Sequence, residues 1–374
     1  MAPETIQVFK PWYDEREVAA VAEVLRSGWV GLGPKTAEFE AAFAAFSRVR
    51  YCVGLNSCTA ALDMAVRLLG INHGDEVIVP TITFVSTAHC VVYNLATPIF
   101  CDVKEDTLEL DPEDVARKIS PRTKAIIAVH YGGRPVDVDR LKQAAGTIPI
   151  IEDCAHAAGA RYKGRPVGGL GVMGCFSFHA VKNLAMGEGG ALTLNDEFMA
   201  GRAKRLRWLG IDRGTWDRTA IDRSYWWEYQ VDEVGLKSHL NDIHAAIGLA
   251  QLAKLPESNA RRRRIVDIYR EAFKDLNEIR MPPPDTDVCQ SAWHLCEIQA
   301  DRRDDLSVHL KERGVSTGVH YKPIHVYRCY GNRPRLPVAE RIFPHLLTLP
   351  LYPGLTDPEV AHIIQAVREF YGRA

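Results

Sequence analysis

The stretch Ile151-Glu152-Asp153-Cys154-Ala155-His156 closes an apolar run with two acids and an imidazole. A second apolar run then ends in Ser177-Phe178-His179-Ala180-Val181-Lys182, and Gly187-Glu188-Gly189-Gly190 leads into the strand-like Ala191–Leu194. An acid, an imidazole, a hydroxyl and a lysine thus stand at the ends of neighbouring buried elements, a clustering that packing alone does not require. In open α/β sheets ligands bind outside the carboxyl ends of the strands.

Working outward, short strand-like runs at Glu76–Val79, Pro98–Val103, Ala125–His130, Pro149–Glu152 and Cys175–Phe178 alternate with helical stretches such as Pro112–Ile119 and Asp137–Ala145. That alternation predicts an α/β domain around a mostly parallel sheet. Asp14 and Glu17 have capping-box spacing ahead of Val18, Val21, Ala22 and Leu25, so a helix is expected to Arg26, stopping at Gly28. Ser57 is placed to start another, running to Leu69. Further on, Asp242–Leu255 reads as an Ala-rich helix and Arg261–Phe273 as a second helix beyond Pro256. A Pro-rich stretch at Met281–Asp287 leads to a β-like Trp293–Ile298, a helix at Leu306–Arg313 and a last helix at Asp357–Tyr371.

At 374 residues the chain is long enough for two domains, and a formal net charge of −1 gives no global basic excess for nucleic acid or an anionic membrane. A small-molecule partner is the better expectation. The nine cysteines lack a CxxC pair and read as reduced thiols of a cytoplasmic protein. The N-terminus shows no signal-peptide pattern, and prolines and polar residues break the most apolar stretch, Val77–Val103, so no membrane span is expected.

Lys182 carries the sharpest chemistry. Most lysines are solvated, but one desolvated beside polar groups loses its proton near neutral pH and forms a Schiff base. Asp153 is suited to hold a protonated pyridine nitrogen, although as an isolated residue it would read as a turn carboxylate. Ser57 reads equally as a plain N-cap and as part of an anion site at a helix N-terminus. Gly169-Leu170-Gly171-Val172-Met173-Gly174 fits GxGxxG, but it runs into a strand rather than a helix, against a dinucleotide site. Cys154 between Asp153 and His156 matches no common zinc spacing, and no metal is expected.

Six motifs follow one another in order: Asn56-Ser57-Cys58-Thr59-Ala60-Ala61-Leu62, Pro80-x-x-Thr83-Phe84-x-Ser86-Thr87, Glu152-Asp153-x-Ala155-His156, Ser177-Phe178-His179-x-x-Lys182-Asn183, Gly187-Glu188-Gly189-Gly190 and His320-Tyr321-Lys322-Pro323-x-His325. Together they resemble the DegT/DnrJ/EryC1/StrS family of sugar aminotransferases, from Trp29 to the last helix. The resemblance implies the aspartate-aminotransferase-like fold, pyridoxal 5'-phosphate (PLP) fold type I. A large α/β/α domain (1–255, with the N-terminal helix) would bind the cofactor, and a smaller α+β domain (256–374) would follow.

The resemblance also implies roles. Lys182 would bond the cofactor and move the proton, Asp153 would pair with its ring nitrogen, His156 would contact its ring hydroxyl and Phe84 would stack on it. Cys58, Thr59 and Ser177 would cradle its phosphate. Lys237 and His239 replace the family's usual Asn or Arg in the segment that completes the phosphate site from a second subunit, implying a homodimer with shared active sites. On the substrate side, His179, His320, Tyr321 and His325 would face the sugar, and Trp29, Trp208, Trp216 and Arg218 are candidates for the substrate's nucleotide site. Trp226-Trp227 reads only as a loop or subunit-contact pair. The implied reaction is transfer of an amino group from L-glutamate to a nucleotide-linked keto-sugar, a 4-keto-6-deoxyhexose, for aminosugar biosynthesis serving cell-surface polysaccharides, lipopolysaccharide or antibiotics. In the related 3-dehydratases histidine replaces the lysine, so Lys182 favours transamination. Intact Lys182, Asp153 and Ser177 also speak against a non-catalytic regulator on the same fold.

Overall fold

The computed structural model describes residues 5–212, 228–331 and 334–373. The first helix, α1 (Glu15–Ser27), forms with both halves of its capping box: Asp14 accepts from the first turn, the Asp14 N–H donates to Glu17, and Gly28 closes the end at φ 73°. Then come α2 (Pro34–Ser47), β1 (Tyr51–Leu55), α3 (Cys58–Leu68), β2 (Glu76–Pro80), α4 (Ser86–Tyr93), β3 (Thr97–Cys101), α5 (Pro112–Lys118), β4 (Thr123–Val129), α6 (Val138–Ala145) and β5 (Ile150–Asp153). A short hairpin of β6 (Arg161–Tyr162) and β7 (Arg165–Pro166) precedes β8 (Met173–Ser177), β9 (Gly190–Leu194) and α7 (Glu197–Leu206).

Seven strands form one sheet in the order β1-β9-β8-β5-β4-β2-β3. All run parallel except β9, which is antiparallel to both neighbours. Successive side chains of a strand point to opposite faces. Val77 and Val79 of β2 accordingly enter one core with Ile127 and Ile151, while Ile78 enters another with Ile126 and Ile150. Helices cover both faces, which is why the strands are apolar along their length and do not alternate with polar residues.

The rest of the chain supplies α8 (Asp242–Ala272), β10 (Ile279–Arg280), β11 (Cys289–Gln290), β12 (Cys296–Ala300), α9 (Arg303–Glu312), α10 (Pro337–Ile342), β13 (Leu346–Leu349) and α11 (Asp357–Phe370). An antiparallel sheet, β10-β12-β13, shares a third core with Leu306 and Leu310 of α9 and with Val360 and Ile363 of α11.

Two helices were expected around Pro256, but α8 runs through it without interruption. An interior proline costs about 3 kcal/mol. Packing at both ends outweighs it: Leu255 is fully buried in the large core and Ile265, Val266 and Tyr269 in the third, each contributing about 1.5–3 kcal/mol. The division expected at 255/256 therefore falls inside a helix. Ile6, far upstream, pairs with Val315 and lies in the third core. The β-like segment expected from Trp293 begins only at Cys296, because Ala292, His294 and Leu295 donate their N–H groups to the Gly132-Gly133 turn and Trp293 takes φ 49°. All nine cysteines are free, and only Cys329 is exposed. Among the described residues no helix is long and apolar enough to cross a membrane.

Candidate active site

A cavity of about 360 Å³ opens at the carboxyl ends of β5 and β8 and at the N-terminus of α3. It gathers Cys58, Thr59, Phe84, Asp153, His156, Ser177, His179, Lys182, His320 and Tyr321. The antiparallel β9 starts at this same end. A Cβ on Gly190 would lie 2.3 Å from the Ser57 carbonyl carbon and 2.6 Å from the Cys58 nitrogen, so only glycine lets β9 pass the helix start. Ser57 is the N-cap, its Oγ accepting from Ala60 N–H at 3.1 Å. The first-turn N–H groups of Cys58 and Thr59 have no intrahelical acceptor. Beside them lie the hydroxyls of Thr59 and Ser86, 2.8 Å apart, and Ser177 at the end of β8. Helix-start N–H groups and hydroxyls, with the positive end of the helix dipole, suit a phosphate.

Glu152 and Asp153, adjacent in sequence, face opposite sides of the sheet. Asp153 faces the cavity: Oδ2 accepts from Thr87 Oγ1 at 2.9 Å and Oδ1 from Ala155 N–H at 3.1 Å. Thr83 is hydrogen-bonded to Thr87 in turn at 2.8 Å. Burial raises the Asp153 pKa above the ordinary value despite the bond from Thr87, so the carboxyl sits where a cationic ring nitrogen would relieve its desolvation.

Glu152, fully buried, does structural work. It accepts from His130 Nε2 at 3.0 Å, Gly168 N–H at 2.8 Å, and the Leu170 and Gly171 N–H groups at 2.7 Å each. The GxGxxG segment is thereby part of a turn wrapped on a carboxylate. His130, Glu152 and Cys154 come close enough to suggest a metal cluster. His130 Nδ1, however, accepts from Val136 N–H, so Nε2 carries the proton donated to Glu152, and the carboxylate is saturated with donors.

Lys182 is half-buried. Desolvation lowers its pKa to about 8, so about one amine in ten is neutral at pH 7. Its Nζ lies 3.3 Å from Nε2 of His294, a residue absent from the sequence-based site. His156 bonds Tyr321 OH at 3.1 Å and accepts from Gly132 N–H at 3.3 Å; burial holds its pKa well below the usual imidazole value. His320 bonds Thr348 Oγ1 at 2.6 Å, and burial brings its pKa down to about 4. Phe84 is 57% exposed at the mouth, its ring 5.9 Å from Tyr321, leaving a face free to stack on a planar ligand. His179 is exposed and lies 3.8 Å from Glu188.

Four expected site residues lie elsewhere. His325 is buried and bonds Thr81 Oγ1 at 2.5 Å, fastening the loop after Pro323 to the end of β2; it does not line the cavity. Trp29 does not line it either and donates Nε1–H to Leu32 O. Lys237 lies 3.2 Å over the Trp208 ring and His239 packs edge-on against the same ring, both outside this chain's cavity. Trp216, Arg218 and Trp226-Trp227 lie outside the described residues. Besides His294, the sequence reading assigned no role to Thr87 or Asn183, though both sit within quoted motifs.

An amine of lowered pKa, a buried carboxyl and an anion cradle in one cavity at the strand ends of this sheet fit PLP, and with the fold they define a PLP-dependent enzyme of fold type I. The model of the DegT/DnrJ/EryC1/StrS aminotransferase family matches residues 11–368, and the chain belongs to that family. It is similar to the spore coat polysaccharide biosynthesis protein SpsC of Bacillus subtilis, 38% identical over 96% of this chain and 95% of that protein. The crystal structure of the aminotransferase TlmJ from Streptoalloteichus hindustanus superposes with TM-score 0.93 at 38% identity, covering 98% of this chain and 99% of that one. A putative sugar aminotransferase, Spr1654 from Streptococcus pneumoniae, superposes in its PLP form with TM-score 0.91 at 32% identity, covering 99% of each chain, and is also known in a pyridoxamine phosphate (PMP) form. The chain is thus a PLP-dependent sugar aminotransferase.

Proposed function

We propose that this enzyme transfers the amino group of L-glutamate to the keto carbon of a nucleotide-linked 4-keto-6-deoxyhexose, releasing 2-oxoglutarate and an aminosugar nucleotide. The observation that carries this reading is Lys182, an amine of lowered pKa in one cavity with the buried Asp153. When bound, the cofactor supplies an electron sink and holds the amino group between donor and acceptor.

The chain's own groups do the rest. Thr87 and the Ala155 N–H orient Asp153, which balances a proton on the cofactor ring nitrogen. The α3 start, Thr59 and Ser177 hold the phosphate end, and Phe84 and His156 flank the ring. Lys182 Nζ, neutral in part at pH 7, takes a proton from the donor carbon and returns one to the sugar carbon. His179, His320 and Tyr321 bind the sugar.

We further propose a cytoplasmic homodimer in which Lys237 and His239 of one subunit complete the phosphate site of the other; their position outside the chain's own cavity supports this. The large part, 1–255, binds the cofactor and 256–374 closes over the substrate side, with α8 joining them. The enzyme serves polysaccharide aminosugar synthesis, as the name of SpsC suggests for that relative.

The test is incubation with L-glutamate and a panel of nucleotide-linked 4-keto-6-deoxyhexoses. Formation of 2-oxoglutarate with an aminosugar supports the proposal. A deoxygenated sugar in place of the aminosugar would establish the 3-dehydratase instead. Failure of borohydride to fix the cofactor to Lys182 would remove the assignment of that lysine.

A further inference from the structure

Asn183 follows the lysine in the sequence motif, and its role emerges from three hydrogen bonds. Its Nδ2 donates to Asn259 Oδ1 at 2.8 Å and to Ala292 O at 2.7 Å. Asn259 is held in that orientation by its own donation to Ala158 O at 2.9 Å. With both Asn183 protons committed to oxygens, Asn183 Oδ1 can only accept, and it lies 3.0 Å from His294 Nδ1. His294 therefore carries its proton on Nδ1. Burial holds its pKa well below the usual value, which keeps Nε2 bare, and Nε2 is the atom 3.3 Å from Lys182 Nζ.

Among the described residues, the charged groups that act most strongly on His294 are cationic or imidazole groups, not acids. Its ring is stacked on Phe9 at 5.4 Å and tilted on His156 at 4.6 Å, and the charged or titratable groups around it are Lys182, His156, Arg262 and His320. The glycine turn explains how the ring comes up against Lys182: a Cβ on Gly133 would lie 2.8 Å from Trp293 N and 3.0 Å from His294 N.

We propose that His294 is a positioning residue for the reaction, its bare Nε2 accepting a hydrogen bond from Lys182 Nζ whenever the amine is free, with Asn183 and Asn259 locking the tautomer. One Nζ proton is then committed to His294, so the nitrogen's remaining valences are oriented away from it, toward the cavity. The inference rests on Lys182 being the amine that bonds the cofactor.

The experiment uses the enzyme reconstituted with PMP, in which the lysine is free. The rate at which a small acylating reagent modifies Lys182 is followed against pH by peptide mass spectrometry. The acceptor stabilises the ammonium, so His294→Phe, which keeps the stacking but removes the acceptor, lowers the labelling midpoint by about 1 or more relative to wild type. His294→Gln, which returns an oxygen acceptor, restores it. Identical midpoints in wild type and His294→Phe would overturn the proposal. The wild-type enzyme gives a second readout that needs no folded Phe variant: the histidine nitrogen-15 signals missing from His294→Gln must show a protonated Nδ1 and an unprotonated Nε2. The opposite tautomer would also overturn it. Both readouts are independent of turnover, so they separate this inference from the borohydride test of Lys182 itself.

Discussion

Glu152→Gln tests the division of labour between two adjacent acids. Gln keeps the shape and one acceptor. With its amide oxygen facing the Leu170 and Gly171 N–H groups, its NH2 faces Gly168 N–H and the His130 Nε2 proton, donor against donor. His130 cannot relieve this by changing tautomer, because its Nδ1 already accepts from Val136 N–H. Two buried donors lose their acceptor at about 1–3 kcal/mol each, about 2–6 kcal/mol in all. At about 2.1 cal/mol/K per residue, unfolding 374 residues carries an entropy of about 0.8 kcal/mol/K, so Tm falls by about 3–8 °C. Cofactor retention stays within about twofold, since Glu152 faces away from the cavity. Asp153→Asn should do the reverse, weakening cofactor retention with little change in Tm. Scanning calorimetry and a cofactor-release assay on both variants decide the matter. If Glu152→Gln melts within about 1 °C of wild type, or loses cofactor as Asp153→Asn does, the reasoning fails.

Gly190→Ala drives a Cβ into the Ser57 carbonyl and displaces the α3 start, so equilibrium titration should show cofactor affinity down by at least about tenfold, with α/β circular dichroism retained. Thr87→Val removes a donor to Asp153 and should reduce kcat by about fivefold to tenfold, read in steady-state assays. Glu297 is buried, and desolvation raises its pKa from 4.5 to about 8, so its contribution to stability is full below 4.5 and is lost as pH rises to about 8. Glu297→Gln has no such loss, and its Tm relative to wild type should therefore climb across that window.

Much of the fold was legible because the signals are local. The capping box of Asp14 and Glu17, the Ser57 cap and the apolar runs of the central strands each depend on residues a few positions apart. Pro256 misled for the complementary reason: a local breaker was outweighed by packing against two cores that the local pattern does not reveal. The site was legible where chemistry clusters along the chain, from Asp153 to His156 and from Ser177 to Lys182. It was opaque where His294 arrives beside Lys182 from 112 residues away.

By itself, the sequence determined the alternating α/β architecture, the family and the lysine, acid and helix start that suit PLP. Those follow from residue type and short spacing. Only the tertiary structure decided that Glu152 holds a glycine turn while Asp153 faces the cavity, that His325 is a buried fastening, and that Lys237 and His239 lie outside their own chain's site. The physical reason is the same throughout: a polar side chain's role is set by the partners that satisfy it, and in the folded chain those partners come from remote segments brought together by burial.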